Sequence, residues 1–162
     1  RVASKWLAKL DQLLADEHLH YYTRLTLLLS KYGFTVGEFL QPGFYQVFGQ
    51  LPLVTPAEQR FRRQLLDYLA PRQRLQHSPD LFLKQRFNPT NPRLSNPALH
   101  KFLHQDEEYL GFSLAPKYLH QSYILLYLTE HRRDSDQQLE DALHLDPASL
   151  LYYQRLLISA DL

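Results

Sequence analysis

Leucine and aromatic residues recur three or four positions apart along most of the chain, which is the spacing of one face of an α-helix. Capping residues, prolines and glycines mark where these stretches begin and end. In the longest stretch the pattern predicts that Leu119, Tyr123 and Leu126 face inward. The predicted helices are Ser4–Asp16, His18–Tyr32, Thr55–Leu69, Asn96–Gly111, Pro116–Arg132, a short helix after Ser135 and a last helix after Asp146.

Two segments interrupt this periodicity. Tyr32–Leu53 holds four of the five glycines and six aromatic residues, so we expect only short helical turns there, around Phe39 and Phe44–Phe48. Pro71–Pro97 holds five of the ten prolines, which predicts broken chain with one short helix at Asp80–Phe87. This second segment is where two subdomains could meet, although we favour a single core.

Composition agrees with an all-α fold. The chain contains 35 leucines against 4 valines and 2 isoleucines, so its apolar residues favour helices over strands. We therefore expect residues 1–162 to form a single leucine-rich, multi-helix domain of about seven helices. Because methionine is absent even from the first position, we interpret the sequence as part of a longer chain.

Further absences limit the chemistry. Without cysteine the chain cannot form disulfides, thiolate nucleophiles or cysteine-ligated zinc sites. No apolar run is long enough for a membrane span, and the first residues lack the apolar stretch of a signal peptide. We expect a cytoplasmic protein without a bound cofactor, and the sequence leaves its oligomeric state open.

Charge is distributed unevenly along the chain. Residues 60–101 contain nine basic and two acidic side chains, a net charge of +7, whereas residues 134–162 have a net charge of −5. Clustered arginines can hold phosphate or carboxylate groups. The basic segment therefore predicts a surface for an acidic protein segment or a nucleic acid; alternatively, it pairs with the acidic C-terminal segment. The candidate anion-binding residues are Arg60, Arg62, Arg63, Arg72, Arg74, Lys84 and Arg86.

The leucine spacing of residues 136–158 resembles that of a helix-turn-helix pair. Asp146 would cap the second helix, leaving Ser149, Tyr152 and Arg155 facing outward where a recognition helix meets DNA. Arg155 is the only basic side chain of the C-terminal segment, however, and phosphate contacts supply most non-specific DNA affinity. The spacing favours DNA binding, but the charge opposes it. We therefore prefer the interpretation that these residues form two helices that pack together at the end of the domain and do not read DNA.

A weaker pattern is the histidine pair His100 and His104, one helical turn apart, with Glu108 one turn further on. Two imidazoles and a carboxylate could hold zinc. The metalloprotease motif needs glutamate directly after the first histidine, and Lys101 stands there instead. The pattern is therefore a weak metal-site candidate.

The sequence contains no Gly-rich phosphate loop and no nucleophile elbow. We expect a non-catalytic interaction or regulatory domain whose basic central segment binds an anionic partner. That partner is an acidic protein segment or a nucleic acid, and we favour a protein. The alternatives are a DNA-binding transcriptional regulator using helices within 136–158, and a metal-dependent enzyme around His100 and His104.

Overall fold

The computed structural model describes residues 5–76 and 78–161, and it is an all-helical single domain. Helix accounts for 67% of the chain, and no strand forms among the described residues. None of the described helices is long and apolar enough to cross a membrane. The helices are α1 (Lys5–Ala8), α2 (Leu10–Leu14), α3 (Tyr21–Lys31), α4 (Val36–Phe39), α5 (Phe44–Gln50), α6 (Pro56–Gln76), α7 (Asn96–Leu110), α8 (Pro116–Glu130), α9 (Asp136–Leu143) and α10 (Pro147–Asp161).

Helix α3 is the centre of the fold. Its residues 22–30 are all buried, and α2, α7 and α8 pack around it. At the N-terminal end, the indole Nε1 of Trp6 donates a hydrogen bond of 3.0 Å to Ser122 Oγ and ties α1 to α8. The buried residues from Trp6 to Leu119 form one continuous cluster, which we call the main core.

A second, smaller cluster lies at the C-terminal end, and we call it the C-terminal cluster. It is formed by the second half of α8 with α9 and α10, and its buried members are Ile124, Leu128, Leu139, Leu143 and Leu150. The two clusters meet where Tyr123 lies against Gly33, whose φ is +89° and which leaves no room for a side chain. Helices α9 and α10 pack against each other in this cluster, so the helix-turn-helix-like pair predicted from the leucine spacing is present.

The predicted helix starts are confirmed at several caps. Ser95 accepts a hydrogen bond from the backbone of Ala98 at the start of α7, and Ser135 and Gln138 form a capping box at α9. At the start of the predicted helix Thr55–Leu69, the Thr55 hydroxyl accepts from the Glu58 backbone N–H at 3.1 Å, which is one half of a capping box.

The segment between Pro71 and Pro97 differs from its prediction. Helix α6 continues through Pro71 to Gln76 instead of ending near Leu69. Proline has no backbone N–H, so the carbonyl four residues before Pro71 loses its helical donor. The next carbonyl along the chain, that of Tyr68, accepts a hydrogen bond of 2.9 Å from the Arg72 guanidinium. The segment is a packed part of the main core, to which it contributes the buried residues Leu81, Phe82, Leu83 and Leu94.

The prediction of a short helix at Asp80–Phe87 is wrong. The chain is irregular there, with bends at 81–82 and 85–86, and it forms one isolated antiparallel bridge between Leu83 and Arg93. The reason is a long-range contact: the hydroxyl of Tyr22 accepts from the Leu83 N–H at 2.8 Å and donates to the Leu83 carbonyl at 2.9 Å. Both backbone groups of Leu83 are thus satisfied by a side chain of α3 rather than by a helical turn.

A fully buried carboxylate lies at the start of α6. Glu58 Oε2 pairs with the Lys31 ammonium. Glu58 Oε1 accepts hydrogen bonds from the Tyr32 hydroxyl at 2.6 Å and from the Val54 N–H at 3.1 Å. Burial alone would raise the pKa of Glu58, but these donors outweigh it and hold the pKa below its ordinary value of 4.5. Burial, together with the hydrogen bond to Glu58, raises the pKa of Tyr32 to about 12.

Candidate functional site

The seven basic residues predicted to bind an anion do not form one surface. Arg62 donates to the carbonyls of Phe48 at 3.0 Å and Leu51 at 2.7 Å, and so fixes the end of α5. Arg72 lies over the Tyr68 ring, 3.8 Å from its centroid, besides donating to the Tyr68 carbonyl. These two guanidinium groups are thus committed to contacts within the fold, and Arg62 and Arg72 are both half-buried.

Three further arginines share the solvent-exposed face of α6. Arg60, Arg63 and Arg74 are exposed, and their spacing puts them on one side of the helix. Asp67 lies on the same side, between Arg63 and Arg74, and lowers the positive charge at its middle.

The remaining two, Lys84 and Arg86, lie at the rim of an open pocket of about 440 Å³, which we call the basic pocket. Lys101 of α7 completes the rim, so three cationic side chains surround an apolar floor. None of the described residues that line the pocket is acidic. The lining residues are Lys84, Gln85, Arg86, Leu94, Ala98, Lys101, Phe102 and Gln105.

One wall of the basic pocket is a single face of α7. Ala98, Lys101, Phe102 and Gln105 follow the spacing i, i+3, i+4 and i+7, which aligns side chains along a helix. The neighbouring face of α7, with Leu99 and Leu103, is buried in the main core. This alternation keeps the floor of the pocket apolar while Lys101 projects into solvent.

The opposite wall is formed by the loop 84–94, which is held in place by backbone hydrogen bonds. The Lys84 N–H donates to the Pro92 carbonyl at 2.8 Å, and the Leu94 N–H donates to the Phe82 carbonyl at 3.0 Å. These bonds flank the bridge between Leu83 and Arg93, which Tyr22 anchors to α3. The wall therefore has a fixed position although it belongs to no regular element.

A buried glutamine strengthens the same wall. The side chain of Gln76, only 3% exposed, donates to the Lys84 carbonyl at 3.2 Å and accepts from the Asn88 N–H at 3.0 Å. On the floor, the ring of Phe102 stacks on His20 with centroids 4.1 Å apart. A site whose walls are already ordered loses less conformational entropy when a ligand binds.

The rim of the basic pocket carries uncompensated charge. Arg93 pairs with Asp80 at 3.7 Å, but Lys84, Arg86 and Lys101 have no ion pair within the described residues. In particular, no ion pair among them joins the basic segment to the acidic C-terminal segment. The alternative in which the protein neutralises its own basic surface with its tail thus has no contact to support it.

The outward residues predicted for the C-terminal pair lie on or near the surface of α10. Tyr152 is 59% exposed and Arg155 is exposed, whereas Ser149 is half-buried and its N–H donates to Asp146 at 2.7 Å. His144 makes the turn between α9 and α10 with a φ of 55°, at the place where glycine is common. The carboxylate of Asp146 therefore lies at the N-terminal end of the predicted recognition helix, where DNA phosphates would approach.

The histidine pattern on α7 does not produce a ligand set. Among residues 5–76 and 78–161, no group of three or more histidine, cysteine or acidic residues is placed to hold a metal ion. His104 Nδ1 instead lies 3.1 Å from Glu107 Oε1, and Glu107 Oε2 accepts from the Leu114 N–H at 2.8 Å. His100 and Glu108 are exposed and take no part in this contact.

The basic pocket was only partly predictable. Lys84 and Arg86 were predicted from the charge of residues 60–101, but Lys101, Ala98 and Phe102 were not assigned to a site. Their helical spacing on α7 was a usable signal. The Tyr22 contact that brings the loop 84–94 beside α7 was not a usable signal, because it joins residues 61 positions apart.

Comparison of the chain with protein-family models, curated proteins and solved structures finds no significant match. Any function must therefore be argued from the geometry and charge of the molecule.

Proposed function

We propose that this chain is a non-catalytic interaction domain that binds an acidic segment of another protein in the basic pocket. The observation that carries the proposal is the combination of three unpaired cations with an apolar floor and no acidic lining residue. A bound segment would place one apolar side chain on Phe102 and Ala98, and carboxylates opposite Lys84, Arg86 and Lys101. Arg86 can hold a carboxylate through two parallel hydrogen bonds.

An acidic protein segment fits this pocket better than a nucleic acid does. Single-stranded nucleic acid needs several aromatic faces on which successive bases can stack, and Phe102 is the one aromatic side chain among the described residues that line the pocket. Phe87 is the one strongly exposed phenylalanine of the described residues, at 58%. A duplex would need a broad row of phosphate contacts, whereas the three cations here surround a compact pocket.

The test is a titration of the protein into a dye-labelled peptide that alternates glutamate with leucine, followed by fluorescence anisotropy. Reversing Lys84 and Lys101 to glutamate should weaken binding about tenfold or more, because two attractive pairs become repulsive. The matched control reverses Arg60 and Arg63 on α6, which changes the net charge by the same amount away from the pocket.

The outcomes separate the candidate ligands. If both double variants weaken binding equally, the peptide senses only net charge and the pocket is not its site. If a single-stranded oligonucleotide of equal charge binds more tightly than the peptide and depends on Lys84 and Lys101, the anionic partner is a nucleic acid. A peptide in which serine replaces leucine measures the contribution of the apolar floor.

A further inference from the structure

A cavity of about 450 Å³ lies where the main core meets the C-terminal cluster, and we call it the junction pocket. Sites for small molecules usually have volumes of roughly 300–1,000 Å³ and often lie between two packed units. Three parts of the chain form its walls: the segment from the end of α3 to α4, the first half of α8, and the end of α9 with the turn into α10. The lining residues are Tyr32, Gly33, Phe34, Thr35, Glu38, His120, Tyr123, Ala142, Leu143, His144 and Leu145.

The junction pocket carries negative charge. Glu38 is its one carboxylate among the described lining residues, which include no lysine or arginine. Glu38 Oε1 accepts from the Thr35 N–H at 2.8 Å and from the Thr35 hydroxyl at 3.0 Å. Glu38 has no ion pair within residues 5–76 and 78–161, and Oε2 accepts no hydrogen bond there. One carboxylate oxygen is thus left to a ligand.

A neutral imidazole lies in the same pocket. His120 Nδ1 is buried and has no hydrogen-bond partner in the described part of the chain. A protonated ring would put an N–H there without an acceptor, which is costly. Burial lowers the pKa of His120 below its ordinary value of 6.5, although the Glu38 carboxylate acts in the opposite direction. His120 therefore stays neutral at neutral pH and does not cancel the charge of Glu38.

Aromatic rings supply much of the remaining wall, from Tyr32, Phe34 and Tyr123. Their positions are set by other contacts. The Phe34 ring meets the edge of Phe44 with centroids 5.0 Å apart, and the Tyr123 ring stacks with His120 at 6.0 Å. Aromatic rings attract ammonium groups through their π electrons. Because the rings are ordered before a ligand arrives, binding loses less conformational entropy.

We propose that the junction pocket binds a small organic cation, whose ammonium group lies between Glu38 and the aromatic rings. A methylated ammonium group fits these walls better than a metal ion, because calcium needs six to eight oxygen ligands and the pocket has one carboxylate. An anion would be repelled by Glu38. None of the lining residues belongs to the basic pocket, so this site is separate from the one proposed above.

The first experiment titrates choline into the protein and follows binding by chemical-shift changes in NMR spectra. The matched neutral ligand is 3,3-dimethylbutan-1-ol, which has the shape of choline with carbon in place of the charged nitrogen. Choline should bind about tenfold more tightly or better, because only choline gains from the carboxylate and from the π electrons of the rings. The proposal is overturned if choline does not bind, or if the two ligands bind equally.

Variants locate the site. Glu38→Gln removes the charge but keeps the bonds to Thr35, since glutamine also serves in a capping box, and it should weaken choline binding about tenfold. Its control, Glu108→Gln, changes an exposed carboxylate on α7 and should leave the affinity unchanged. Ala142→Lys adds a cation at the exposed rim of the pocket and should also weaken binding, whereas Gln137→Lys, on the same helix outside the pocket, should not. Equal effects within each pair would mean that choline senses only net charge, which contradicts the proposal.

A peptide that carries trimethyllysine distinguishes two sources of the same methylated ammonium group. If the peptide binds more tightly than choline and requires Glu38, the cation is a modified side chain of another protein. If choline binds more tightly, the ligand is a free small molecule.

Hydrogen exchange tests the position between the two clusters. Choline should slow those amides of α9 and α10 that exchange when this helix pair opens, because the pocket exists only while the pair lies against the main core. At a free choline concentration one hundred times Kd the slowing should be about a hundredfold, and about tenfold for Glu38→Gln at the same concentration. Choline binding without slower exchange in α9 and α10 would place the ligand elsewhere and overturn the proposal.

Discussion

The main core and the C-terminal cluster are built from the same leucine-rich helices, but they are held together differently. In the main core, side chains far apart in sequence bond to each other or to backbone: Trp6 to Ser122, Tyr22 to Leu83 and Lys31 to Glu58. Around the C-terminal cluster the side-chain hydrogen bonds are mostly local, such as the caps of Ser135 and Asp146, and the bond from Gln154 to Asp136 spans only 18 residues. The difference suggests that the main core unfolds as one unit, whereas α9 and α10 can open separately.

The largest loss of stability is expected when the side chain of Phe82 is truncated, because this residue joins the wall of the basic pocket to the main core. Its ring is 1% exposed and lies 5.0 Å from the Tyr22 ring and 5.2 Å from the Phe39 ring. Phe82→Ala should lower the free energy of unfolding by about 3–5 kcal/mol, measured in urea. The control Phe87→Ala should change it by less than about 0.5 kcal/mol, because that ring is mostly in solvent. Equal losses would mean that the segment 81–94 is not part of the main core.

The second largest loss of stability is expected when the buried carboxylate of Glu58 is removed. Glu58→Gln leaves Lys31 without its counter-charge, and should lower the free energy of unfolding by about 2–3 kcal/mol at neutral pH. Lys31 keeps some contact with water, at 27% side-chain exposure, which is why the loss should fall short of that for a fully enclosed pair.

Acid titration sharpens this result. The folded pKa of Glu58 is depressed, so its stabilising contribution is present above the unfolded pKa and is lost as the pH falls through the folded pKa. Glutamine does not titrate there. The stability difference between wild type and Glu58→Gln should therefore narrow below about pH 4.5. A difference that stays constant down to pH 2 would contradict the contacts of Glu58.

The smallest of the three effects is expected in the C-terminal cluster. Leu150 is 1% exposed, yet Leu150→Ala should cost about 2 kcal/mol, the lower end for a buried leucine, because the small cluster can close around the space. Hydrogen exchange should then speed up for amides of α10 while those of α3 keep their protection. Equal acceleration in both helices would show that the two regions unfold together, and the comparison drawn above would fail.

Sequence patterns predicted the helical class and most helix starts because caps are local. Ser95, Ser135 and Asp146 satisfy backbone groups within three residues, so their role can be read without knowing the fold. The facing of α8 was predicted less well: Leu126 was expected inward and is half-buried, while its neighbours Ile124 and Leu125 are buried. Since α8 packs against the main core along one part and the C-terminal cluster along another, a single stripe could not describe both contacts.

The candidate site depended still more on distant contacts. Charge alone grouped the arginines of α6 with Lys84 and Arg86, but the structure assigns Arg62 and Arg72 to backbone carbonyls of the fold. The pocket exists because the loop 84–94 lies beside α7, and the position of this loop depends on Tyr22 and Gln76. Neither residue carries a signal in its own neighbourhood of the sequence.

The contact between Trp6 and Ser122 also gives the molecule an internal optical reporter. Trp6 is the only tryptophan of the chain, it is 2% exposed, and its indole N–H is bonded within the main core. Its emission should therefore be blue-shifted while α1 stays attached to α8, and should move to longer wavelength when that contact is lost. Because no tryptophan lies in α9 or α10, the same signal stays silent when only the C-terminal helices open, and one fluorescence trace beside one circular dichroism trace distinguishes the two events.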